Sequence, residues 1–114
     1  MFRSFRARYA DLVRRQLAIF VEEEEALLEA IERARRAYDR AGAPEAEERY
    51  GLYMDLVEEA EERMLALRDT YAEWMAAAER RRYEREFTRM AEKLLPSLVV
   101  RRDYGRAVDP DYEL

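Results

Sequence analysis

From Val13 to Ala41 the chain repeats a step of four residues and then three without interruption. The positions are Val13, Leu17, Phe20, Glu24, Leu27, Ile31, Ala34, Tyr38 and Ala41. That spacing returns side chains to one face of an α-helix and, over several heptads, makes a seam. A second seam follows with the same rhythm: Ala46, Tyr50, Tyr53, Val57, Ala60, Met64, Leu67, Tyr71, Trp74 and Ala78. Every seam residue but one is apolar or small, and the exception is Glu24.

The segment AGAPE at 41–45 separates the two seams. Gly42 suits the left-handed residue that closes a helix, and Pro44 suits the first turn of the next. So short a link makes the two helices antiparallel neighbours. Facing residues then have numbers summing to about 84–88, an offset set by the turn. The expected fold is all-α: a long, coiled-coil-like antiparallel helical hairpin over 1–95, with helices over about 3–41 and 44–95. With only 3 Gly and 3 Pro in 114 residues, little else can turn the chain. Pro96 ends the second helix, and 96–114 reads as an irregular tail with a short extended piece at Leu98–Val100.

The apolar pattern changes phase late in the second helix. Tyr83, Phe87, Met90 and Leu94 continue from Met75 and Glu79, not from Trp74 and Ala78. No residue in MAAAERRRYEREF breaks a helix, so the expectation is one helix with a rotated sticky face. Leu28, Leu52 and Leu56 also lie off the main seam. A lone two-helix rod cannot bury both rows. Leu28, Leu52, Leu56, Phe87, Met90 and Leu94 are therefore the expected interface of a homodimer forming a four-helix bundle. A heteromeric protein partner ranks second, and a monomer whose last segment folds back as a third helix ranks third.

Charge is segregated along the sequence. Arginines outnumber acids in 1–20 and in 76–106, whereas 21–75 is strongly acidic, within a net charge of −5. A hairpin brings the two basic stretches together at its open end. Arg80, Arg81, Arg82 and Arg85 beside Tyr83 and Phe87 could bind an anion there, and aromatics among arginines suit nucleic acid. Nucleic acid is the competing function class, weaker than protein–protein contact.

Chemistry is poorly provided for. The chain has no histidine and no cysteine. That removes the commonest metal ligand, the usual general base, thiolate sites and disulfides. Hydroxyls are confined to Ser4, Thr70, Thr88 and Ser97 and the tyrosines, and no glycine-rich loop exists to hold phosphate. Paired glutamates such as Glu29 and Glu32 find arginines four residues on, as helix-surface ladders do. No catalytic residue, cofactor or metal site is expected. No apolar run approaches the roughly 18–20 residues of a membrane span, and a cysteine-free chain suits the cytoplasm. The expected function is a non-catalytic assembly, adaptor or accessory subunit.

Glu24 is the remaining anomaly. It sits in the stretch IFVEEEEALL, four after Phe20 and three before Leu27. The hairpin register places Arg63 opposite. A buried Glu24–Arg63 pair that fixes register, at some cost in stability, is the expectation.

Overall fold

The structure, a computed structural model, describes residues 5–98, with side chains from residue 8 onward. Phe2, the side chain of Phe5 and the tail beyond Leu98 lie outside the described residues. Four long helices follow one another: α1 (Phe5–Glu23), α2 (Glu25–Arg40), α3 (Ala43–Ala72) and α4 (Ala77–Leu94). Residues 96–98 are helical as well, so the chain starts a further helical turn where an irregular tail, extended at Leu98, is expected from the sequence. The described residues contain no strand.

The α2–α3 hairpin closes where the sequence places it. Ala41 and Gly42 are both extended, with Gly42 as the N-cap of α3 and Pro44 in its first turn. Gly42 has no left-handed backbone, because φ is −79° there. Two extended residues reverse the chain on their own, so the glycine is permitted rather than required.

Two features depart from a straight hairpin. The first is a bend at Glu24, whose φ of −108° and ψ of 27° separate α1 from α2. The helix ladder survives on both sides, with Glu24 N–H bonded to the Phe20 carbonyl and Leu28 N–H to that of Glu24, each at 2.9 Å. The second departure is larger. The single helix expected over 44–95 is two, interrupted at 73–76. A straight helix over 43–94 would span about 78 Å, yet the longest dimension of the molecule is 58 Å. The chain therefore turns after Ala72, and α4 packs chiefly against α1.

The phase change explains why. Tyr83, Glu86, Phe87, Met90 and Ala91 line one face of α4, and all are buried. On α1 the matching face is Tyr9, Val13, Gln16, Leu17 and Phe20. A straight continuation of α3 would aim the α4 row away from the α3 seam. Burying Tyr83, Phe87 and Met90 yields roughly 1.5–3 kcal/mol per side chain, which exceeds the loss of a few helical hydrogen bonds at one break. Arg80 then covers the frayed end of α3: its guanidinium donates to the carbonyls of Ala72 and Met75, each at 3.2 Å.

One core results, contributed by all four helices and closed by Leu98, which is 1% exposed. It spares much of the hairpin. Between Glu32 and Leu56 no residue is buried. That distal arm is two helices deep, with tilted ring contacts of Tyr38 with Tyr50 (centroids 5.2 Å apart) and Tyr50 with Tyr53 (6.4 Å). Arg35 bridges Glu32 and Asp39 along its α2 side.

Candidate interaction surfaces

The residues expected at a dimer interface divide into two groups. Phe87 and Met90 are each 1% exposed, so they belong to the core and not to an interface. Their burial follows from the reversal of α4, which supplies from within the chain the cover expected from a second copy. Leu94 stays 45% exposed and Leu52 51% exposed. Leu28 and Leu56 are half-buried against the edge of the core.

Leu52 and Leu56 share a groove of about 310 Å3 with Ala34, Ala37, Arg49 and Asp55. The α2 side of the lining is alanine and the α3 side carries the leucines, Leu52 exposed and Leu56 half-buried. An apolar lining with one cation and one carboxylate is the form a partner helix fits.

Arg63 reaches across from α3 to the bend. Its Nη1 donates to Glu24 Oε1 at 2.6 Å, and its Nη2 donates to Glu59 one turn earlier on α3. Hydrogen bonding to Glu24 is the first cause holding the guanidinium above its ordinary range. The pair is not buried: the side chains are 48% and 22% exposed. Glu24 sits at the elbow between α1 and α2, where the bend turns it toward the rim. Water reaches both partners, so the pair marks register without the desolvation cost of a core ion pair.

The four arginines do not form one anion site. Arg80 is engaged by the α3 carbonyls. Arg81, Arg82 and Arg85 are exposed along α4, and with Arg89 they line a shallow depression of about 710 Å3. Tyr9 and Thr88 also line it, and so do Glu84, Glu86 and Glu92. Arg89 is bonded to Glu86 by both Nε and Nη2. The depression carries mixed charge.

Two features escape the sequence pattern. Trp74, a seam position, lies in the turn after α3 and is 85% exposed. Gln16, off the apolar seam, is 2% exposed and accepts a 2.7 Å hydrogen bond from the Tyr83 hydroxyl. Only the phase change near Met75 signals either of them.

Among the described residues no group of three metal-ligating side chains comes together, and no helix is long and apolar enough to cross a membrane. No protein-family model, curated protein or solved structure matches the chain.

Proposed function

We propose that this chain is a non-catalytic assembly or adaptor subunit that acts through protein–protein contacts, with the α2–α3 arm as its docking element. One observation carries this: no residue of 32–56 is fully buried, yet Leu52 and Leu56 line a groove with Ala34 and Ala37. Helices draw most of their stability from tertiary packing, and here α2 and α3 pack chiefly on each other, with no residue of 32–56 fully buried. A second protein chain laid along the groove gives two helices the third and fourth neighbours that a bundle needs. A second copy is the first candidate, giving a four-helix bundle at the arm.

Concentration dependence of thermal unfolding tests the proposal, because a partner subunit stabilises by mass action. The expected result is a melting temperature that climbs as protein concentration is raised a hundredfold. A melting temperature that does not move argues against self-assembly.

A second function, polyanion binding along α4, draws on Arg81, Arg82 and Arg85, exposed beside Tyr9. Three carboxylates in the same depression weigh against it. Binding of single-stranded nucleic acid at about 150 mM salt, falling steeply as salt rises, is the result that would favour it.

A further inference from the structure

One face of α3 is complementary to itself. Glu45, Arg49, Leu52, Leu56, Glu59 and Arg63 follow steps of four and three, so they form a single stripe along the helix. Leu56 is half-buried and the other five are exposed. The stripe borders the groove lined by Ala34 and Ala37. In its order of charges, acid, base, leucine, leucine, acid, base, reversal exchanges each acid for a base.

We infer that the docking partner of the arm is a second copy of this chain, with the two α3 helices antiparallel across a two-fold axis at the level of Met54. The inference rests on the assembly function proposed above and fixes its partner and register. Residues equidistant from position 54 then face each other. Glu45 meets Arg63 of the other copy, Arg49 meets Glu59, and Leu52 meets Leu56, each twice by symmetry.

Other arrangements fail this matching. A parallel, in-register pair sets Arg49 on Arg49 and Glu59 on Glu59. Sliding one copy by seven residues puts Leu52 against Arg49 or against Arg63. An axis at Leu52 itself places Glu45 opposite Glu59. Like charges across an interface select against wrong pairings more than correct ones add affinity, so the charges set register and the leucines supply the apolar contact.

The charges already in use do not block this arrangement. Arg63 bonds Glu24 and Glu59 through Nη1 and Nη2, and a guanidinium has five N–H donors in all. The Glu45 carboxylate of the other copy completes that cluster. Arg49 and Glu45 make no ion pair with any described residue of their own chain.

Charge reversal with mixing tests the register. R49E alone sets a carboxylate against the Glu59 carboxylate twice per dimer, and E59R alone sets one guanidinium against another twice. Each should weaken self-association at least about tenfold by sedimentation. An equimolar mixture of the two variants has both contacts matched, so it should recover the dimer, and native mass spectrometry should find it mixed. Circular dichroism checks that each variant is folded. Should E59R unfold, L52E opposes Leu56 with a carboxylate and must also weaken association. Association of the native chain that neither R49E nor L52E alters would overturn this register and leave self-assembly standing. A native chain that stays monomeric at every concentration would overturn both.

Discussion

The Tyr83 hydroxyl donates to Gln16 Oε1 across 2.7 Å inside the core, tying α4 to α1. Tyr83 is 0% exposed and Gln16 2%. The Gln16 Nε2 makes no hydrogen bond to a described residue. This polar contact lies within the apolar packing that pairs the two helices and distinguishes the fold from a plain hairpin.

Removing one partner of a buried hydrogen bond leaves the other unsatisfied, at about 1–3 kcal/mol. Y83F and Q16L should each destabilise by about that amount in urea titrations. The double variant should cost clearly less than the sum, because it buries no orphan from this pair. Strictly additive costs would show that the two side chains do not bond.

Alkali should report the burial of the same hydroxyl. Burial pushes the Tyr83 hydroxyl up to about 12 from its ordinary 10.0. Between those values the unfolded chain has lost the Tyr83 proton and the folded chain retains it, so stability falls as pH rises through the interval. Below about pH 10 the contribution is fully present. Denaturant midpoints between about pH 9 and 11 should therefore drop more steeply for the native chain than for Y83F. Equal slopes would contradict the assignment.

Trp74 reports the break between α3 and α4. At 85% exposed, this lone tryptophan should emit as a water-exposed indole and be quenched readily by iodide. W74A should change stability by less than about 0.5 kcal/mol, as exposed sites do. A blue-shifted, protected tryptophan would instead place it in a seam, with α3 running straight on.

Gly51 lies within α3, and a Cβ built there meets nothing within 4 Å. No close approach on that face requires the glycine. G51A should raise stability by about 0.4–1 kcal/mol through helix propensity and a less free unfolded chain. A loss in thermal melts would point to a contact on that face.

Local patterning makes the all-helical character and the 41–45 turn legible in the sequence. Period and turn chemistry both act between near neighbours. The same register brings Tyr38 to Tyr50 and Arg63 to Glu24. The break at 73–76 is not legible from propensity, since Ala76, Ala77 and Ala78 would all continue a helix. What ends α3 there is a long-range preference, the burial of Tyr83, Phe87 and Met90 on α1, and tertiary packing overrides propensity. The phase change is its only trace. Read as a rotated face, that change sends Phe87 and Met90 to an interface and Trp74 to the seam. Glu24 shows the same limit: spacing points to its partner, but the bend that lifts it to the rim depends on where α1 goes. The α3 stripe is in plain view as sequence. It becomes meaningful only once α4 is known to leave that face open.

The most direct test is the mass of the native chain by light scattering after size exclusion, over a wide range of loading concentrations. A dimer through the α3 stripe predicts twice 13.7 kDa at the upper concentrations, with a fall toward 13.7 kDa on dilution. A mass fixed at 13.7 kDa throughout would contradict the account.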